Sequence, residues 1–361
     1  MPKNDPATNL STAYLARLLG VRVTSIEPID GGNNSRVFKV TAADNSMYAA
    51  KLYLGLTADG QSRMGVEFNA LEFLRKRGVE CVPRPVAADH SRQCAVYEFV
   101  EGASVDSTEA TTADIDQAVR FLRRLNALKD DPESLRLPKA AEACFSFRAI
   151  VNNLKARLGQ LQEIDGSPPR KGGLDKFLDK EFLPAFRRIV AWCQKRIIDA
   201  GTSMDAELNP EDLTLSPSDF GFHNSLRRSN GELVFLDFEY FGWDDPAKII
   251  CDFLLHPAME LNPFLKRRFV ENLIGTPSPD HVLLDRVETA YPLFGLKWCL
   301  ILLNPFLSEY RLQRGIASTT GPKRTSLFEQ QLEKTKLFLS IVERDYESFP
   351  YWNVCYAPNV N

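Results

Sequence analysis

The chain changes its period once. Up to about residue 100 it runs in short β-type segments cut by Gly, Asn and Asp turns, and from about Thr112 it reads mostly as helices. Residues 21–29, 36–40 and 47–54 are rich in β-branched and aromatic side chains, and the turns between them are Asp30-Gly31-Gly32-Asn33-Asn34 and Asp44-Asn45. That pattern predicts an antiparallel meander. Thr12–Leu19 predicts a short amphipathic helix capped by Ser11. Residues 63–78 predict a second helix, with Phe68, Leu71 and Leu74 on one side and Gly78 ending it. VPRPVAAD then reads as an extended connection, and residues 94–100, CAVYEFV, as an apolar strand closed by Glu101-Gly102.

In the second part, residues 115–128, 147–161 and 174–198 carry apolar side chains at helical spacing, and Asp245-Pro246 is a helix start. Residues 213–215 and 233–238 are its clear strands and are expected to form one β-hairpin. A chain of 361 residues is long for a single core, so two lobes are expected. The first covers residues 1–101, with a junction at about 97–101, and the second covers residues 102–361. The expected fold class is α+β, an antiparallel sheet lobe with one helix followed by a mainly helical lobe.

Composition narrows the partners. The 44 basic residues against 47 acidic ones give no positive bias, which argues against nucleic acid or an anionic membrane as partner. The most apolar run, residues 293–307, is interrupted by Lys297 and Pro305 and falls short of the roughly 20 residues a span needs, so a buried helix is expected. The first 20 residues lack a long apolar stretch, so no signal peptide is expected. Seven scattered cysteines and four dispersed histidines have no metal-site spacing and read as reduced thiols in a cytoplasmic protein.

The polar residues that carry chemistry fall in four places. Glycines in the turn Gly31-Gly32-Asn33-Asn34 allow its backbone N–H groups to approach a phosphate, although a plain hairpin turn looks the same. Lys51 lies within the apolar strand segment Tyr48-Ala49-Ala50-Lys51-Leu52 and needs a polar target. The α- and β-phosphates of a nucleotide are one such target, with Glu67 on the next helix, or else Glu72, holding the ammonium. Glu98 to Val100, at the lobe junction, offer extended backbone that could read an adenine edge. The stretch SPSDFGFHNSLRRSNGELVFLDFEY holds Asp219, Asn224 and Asp237. In these positions Asp219 would accept the proton of an attacking hydroxyl, and Asn224 and Asp237 would hold Mg²⁺. A carboxylate that ends an apolar run, as Asp237 does, is costly to bury without a cation or donors. His223 reads as loop packing or an acceptor contact. Phe238, Tyr240, Phe241 and Trp243 form an aromatic cluster, either core or the wall of an acceptor pocket.

At these residues the chain resembles the aminoglycoside phosphotransferase and choline kinase-like family, which has a two-lobed protein kinase-like fold. The matching stretches, from about Thr24 to Trp298, are GGNNSRVFKV, YAAKLY, VEFNALEFLRKRGVECVPRPVA, YEFVEG, SDFGFHN and FLDFEY followed by DDPAK. The resemblance implies transfer of a phosphoryl group from ATP to the hydroxyl of a small molecule such as a sugar, amino alcohol, nucleoside or aminoglycoside. It implies Lys51 on the phosphates, Asp219 as catalytic base, and Asn224 and Asp237 as magnesium ligands. It also implies Glu239, in DFE, as a further ligand of the metal or its water. Two departures stand out: Pro217 occupies the position where the family carries histidine before the catalytic aspartate, and Asn126 replaces another histidine. Pro217 motivates a second expectation, a nucleotide-binding pseudokinase that acts as a regulatory module. A protein kinase is disfavoured by the missing HRD arginine.

Overall fold

The computed structural model of the chain describes residues 10–29, 35–54, 60, 62–164, 171–275, 278–307, 310 and 322–352. Two compact units divide the chain. One comprises Met1–Glu109, Phe121–Ala143 and Thr214–Asp244, and the other comprises Ala110–Arg120, Cys144–Leu213 and Asp245–Asn361. The strands and loops that carry Asp219 and Asp237 therefore belong to the same unit as the N-terminal sheet.

In chain order the first unit contains α1 (Thr12–Leu19), β1 (Val23–Ile29), β2 (Ser35–Ala42), β3 (Met47–Tyr53), α2 (Arg63–Lys76), β4 (Pro85–Asp89), β5 (Cys94–Glu98) and β6 (Ala103–Ser104). The later segments add β7 (Thr214–Ser216), β8 (Ser225–Arg227), β9 (Leu233–Phe235) and β10 (Gly242–Asp244). β1 to β5 form an antiparallel sheet in the order β1-β2-β3-β5-β4. The Asp44-Asn45 turn closes as expected: Asn45 takes φ 67°, and the Asp44 carboxylate accepts the Ser46 N–H at 3.0 Å. Asn tolerates this left-handed conformation better than most residues.

The connection VPRPVAAD proves to be a strand for its last five residues. β4 pairs only with β5, and Pro85 begins it at the sheet edge, where a missing N–H costs no ladder bond. Side chains alternate between the two faces of the sheet. Val40, Ala50, Leu52, Cys94 and Val96 pack with Tyr14 and Leu15 of α1. Lys51, Tyr53 and Tyr97 are out of phase with these and project from the opposite face. Ser11 caps α1, accepting the Tyr14 N–H at 3.2 Å, and Ser62 caps α2, accepting the Gly65 N–H at 3.1 Å. Full burial of Leu15 contributes about 1.5–3 kcal/mol to seating α1.

The two strands expected as one hairpin do not pair with each other. β7 pairs with β10, while β9 pairs with β8, which in turn pairs with β6. β7 and β9 lie where strands were expected, but β6, β8 and β10, two or three residues long, are too short for a hydrophobic period to register in sequence. Beneath them lies an aromatic core, with Phe121 stacked 4.6 Å from Phe235 and 5.7 Å from Phe220, and edge-on to Phe238 at 6.2 Å.

α3 (Thr112–Ala127) begins in the second unit and ends in the first. The second unit is helical: α4 (Phe147–Gln162), α5 (Leu183–Asp199), α6 (Pro246–Leu255), α7 (Pro263–Ile274), α8 (His281–Leu302) and α9 (Pro322–Asp345). The continuous helix expected at 174–198 starts its α-helical part at Leu183, after π-helical turns at Lys171–Asp175 and Leu178–Phe182. α8 is central, in contact with α4, α5, α6, α7 and α9. At Gly295 it lies so close to α9 that a Cβ would sit 2.7 Å from the Val342 side chain. The apolar run at 293–307 is largely the end of α8, buried as expected. Among the described residues no helix is long and apolar enough to cross a membrane. Asp245 caps α6, accepting the Ala247 N–H at 2.9 Å, and pairs with Arg286 of α8 at 2.7 Å with its own side chain fully buried.

Candidate active site

The sheet face opposite α1 carries one buried cation among acids. Lys51 Nζ lies 2.6 Å from Glu67 Oε2 of α2, 2.6 Å from Asp237 Oδ1 and 3.9 Å from Glu239 Oε2. Glu67 is the partner from α2; Glu72 instead makes a surface pair with Lys76 at 3.8 Å. Burial alone would depress the Lys51 ammonium, but Asp237, Glu67 and Glu239 outweigh it and hold its pKa well above the usual lysine value. Burial pushes the Glu67 carboxyl up, and Lys51 only partly pulls it back. The Tyr53 hydroxyl donates to Glu67 at 2.6 Å and lies 2.8 Å from the Tyr97 hydroxyl, so the carboxylate is held from behind as well.

A second cation was not anticipated. Arg63 opens α2 one helical turn before Glu67, and the i, i+4 spacing puts both on one face. Its Nη1 lies 2.7 Å from Glu239 Oε1 and 2.6 Å from the Tyr240 hydroxyl. Of the aromatic cluster, Phe238 and Phe241 are core, Trp243 donates its indole N–H to the Ser134 carbonyl at 3.0 Å, and Tyr240 serves Arg63. A charged residue four positions before a helix carboxylate is the signal that could have drawn attention to Arg63.

The loop from Ser216 to Asn224 presents Asp219 at the surface of the same unit, its side chain 40% exposed. His223 Nε2 is 3.1 Å from Asp219 Oδ1, and the Asn224 amide donates to the Asp219 carbonyl at 3.0 Å. The Leu236 N–H donates to the Asn224 carbonyl at 2.8 Å, which fixes the Asn224 position beside the one that leads into Asp237. Two residues here take φ values sparsely populated outside glycine, Ser218 at 68° and Asp237 at 63°. Such conformations persist only where their surroundings over-determine them, and they cluster at functional sites. Pro217, at the position of the resemblance's missing histidine, is buried, and its carbonyl accepts the Asp219 N–H at 2.9 Å.

Of the other expected contacts, Glu98 ends β5 with its N–H on the Arg84 carbonyl at 2.8 Å and its carboxylate 3.6 Å from Arg228, and Val100 is buried just beyond. Gly31, Gly32, Asn33 and Asn34 lie outside the described residues. Carboxylate oxygens of Glu67, Asp237 and Glu239 lie within 4.8 Å of one another, a hard-oxygen cluster of the kind that suits a divalent cation.

An antiparallel sheet lobe followed by a mostly helical part is a protein kinase-like fold. Residues 25–253 match the model of the phosphotransferase enzyme family, and the chain belongs to that family as a small-molecule phosphotransferase with a hydroxyl acceptor. No curated protein matches it in sequence. Among solved structures it is similar to a spectinomycin phosphotransferase determined with ADP and spectinomycin, at 14% identity over 93% of this chain and 97% of that one, with a TM-score of 0.63. A Plasmodium vivax ethanolamine kinase matches at 14% identity over 88% of this chain and 83% of that one, with a TM-score of 0.56. The choline kinase LicA from Streptococcus pneumoniae matches at 17% identity over 91% and 97%, also with a TM-score of 0.56.

Proposed function

We propose that the chain transfers the γ-phosphoryl group of ATP to a hydroxyl of a small molecule, with Asp219 as the base. The observation that carries this reading is the clamped Lys51, 2.6 Å from both Glu67 and Asp237 in the same unit as the Asp219 turn. Asp219 is exposed enough to meet a hydroxyl and accept its proton, with His223 at 3.1 Å and the Asn224 amide on its carbonyl fixing its direction. Lys51, kept charged by three carboxylates, would hold phosphate oxygens, and Glu67 would aim it.

Asn224 and Asp237 would hold magnesium. Amide and carboxylate oxygens are the donors it favours, and two side chains leave coordination sites for phosphates and water. Magnesium-ATP supplies the phosphoryl group and offsets its charge. Glu239 would add a carboxylate near Asp237 while Arg63 keeps its other oxygen engaged. Glu98 and Val100 would meet the adenine edge, and the turn at Gly31, Gly32, Asn33 and Asn34 would cover the phosphates. Phosphoryl transfer needs positioning and charge neutralisation more than covalent chemistry, so this short list is sufficient.

Spectinomycin, ethanolamine and choline acceptors among the similar structures support a polyol or amino alcohol as the acceptor class. Turnover with magnesium-ATP across amino alcohols, sugars, nucleosides and aminoglycosides tests the acceptor. Asp219→Asn is expected to abolish turnover while nucleotide binding persists; wild-type turnover by that variant would overturn the base assignment.

A further inference from the structure

Ser218 and Ala141 connect the Asp219 turn to the loop after Asp237. Residues 217–219 make a three-residue turn in which the Asp219 N–H donates to the Pro217 carbonyl at 2.9 Å, with Ser218 at φ 68° in the middle. Turns of this hand are rare and strained. Two side-chain contacts hold this one. The Ser216 hydroxyl accepts the Ser218 N–H at 2.9 Å, and the Ser218 hydroxyl donates to the Ala141 carbonyl at 3.1 Å.

The segment 138–141 is itself anchored on the other loop. The Ala141 N–H donates to the Tyr240 carbonyl at 3.1 Å, the Ala140 N–H to the Trp243 carbonyl at 2.9 Å, and the Trp243 N–H to the Pro138 carbonyl at 2.9 Å. The approach is so close that a Cβ on Gly242 would lie 2.3 Å from the Pro138 oxygen. Ala141 thus spends its N–H on the loop that follows Asp237 and its C=O on the turn that carries Asp219. Tyr240 continues the connection through its hydroxyl to Arg63, at the start of the helix that carries Glu67.

We propose that Ser218 is a positioning residue for Asp219, and that segment 138–141 locks the Asp219 turn to the Asp237 loop. This device supplies loop support where Pro217 can offer no side-chain donor. The inference rests on the reading of Asp219 as base. Without the Ser218 hydroxyl the turn loses its tie to the Ala141 carbonyl, and the Asp219 carboxylate is free to swing with it.

The test measures ADP release from magnesium-ATP with water as acceptor, together with ADP affinity by calorimetry and the melting temperature. Ser218→Gly suits the positive φ but lacks the hydroxyl, so its melting temperature should match or exceed wild type. Its kcat should nonetheless fall by about tenfold or more, as expected for a displaced catalytic group. KM for ATP and ADP affinity should stay within about twofold of wild type, because loss confined to kcat marks an interaction made in the transition state. Ser218→Ala should lose kcat similarly and melt lower. Ser218→Asn, which tolerates the left-handed conformation and carries an amide donor, should regain much of the rate.

If Ser218→Gly and Ser218→Ala keep kcat within about twofold of wild type while Asp219→Asn is inactive, the anchoring role is refuted and the base assignment stands. A rise in KM for ATP at unchanged kcat also refutes the anchoring role. Full activity of Asp219→Asn refutes the base assignment, and this inference with it.

Discussion

Lys51→Met keeps the length and apolar stem of the side chain and removes its ammonium. Lys51 and Arg63 face Glu67, Asp237 and Glu239, so the substitution turns two cations against three carboxylates into one against three. At an effective dielectric of about 20, each contact at 2.6 Å is a gross attraction of roughly 6 kcal/mol. The two contacts do not count equally. The Asp237 side chain is 37% exposed and regains water, whereas that of Glu67 is 5% exposed and cannot. The net loss is therefore set by Glu67 and should be about 3–5 kcal/mol, the cost of leaving one member of a buried pair alone. With an unfolding entropy of about 2.1 cal/mol/K per residue over 361 residues, that lowers the melting temperature by roughly 4–7 °C.

The loss should depend on pH. Burial already raises the Glu67 carboxyl, and without Lys51 it rises further. A raised folded-state pKa means the folded chain holds the proton more tightly than the unfolded one. The deficit is thus small near the ordinary glutamate value of about 4.3 and grows as pH climbs through the raised value. Thermal unfolding of wild type, Lys51→Met and Lys51→Met/Glu67→Gln at pH 5 and pH 8 checks this. The single variant should lag wild type more at pH 8 than at pH 5, and the double variant should recover most of the difference. Equal deficits at both pH values, with no recovery in the double variant, would refute the charge argument.

Gly242→Ala should lower stability by about 1–3 kcal/mol, because the new methyl must displace backbone at 138–140 rather than a flexible side chain; calorimetry measures it, and an unchanged melting temperature would mean the segment yields freely. In the helical unit, Asp245→Ala leaves the Arg286 guanidinium without its buried partner and should cost about 3–5 kcal/mol in urea unfolding. Asp245→Asn retains the cap on the Ala247 N–H, so it should be milder by about 1 kcal/mol; equal losses would show that the cap contributes nothing.

Local chemistry made much of the fold legible in the sequence. Ser11, Asp44-Asn45, Gly78 and Asp245-Pro246 mark caps and turns where the structure has them, since a cap or a positive φ is decided by one or two residues. Hydrophobic period gave the meander and most helices for the same reason. The short strands β6, β8 and β10 were not legible, because two or three residues carry no period, and the pairing of β7, which was expected as a strand, is set by a partner far along the chain. Lys51 and Asp237 could be picked out from sequence because a charged residue within or ending an apolar run must find a polar target, and Asp219 because it stands five residues before Asn224 across the Gly221 turn. What each one meets required the tertiary structure. Sequence ranked Glu67 ahead of Glu72, and the position of α2 against β3 puts Glu67 on Lys51. Arg63, Tyr53, Tyr240 and the 138–141 segment took their places only through contacts between residues distant in sequence. Such contacts depend on how faces pack, which no local pattern encodes.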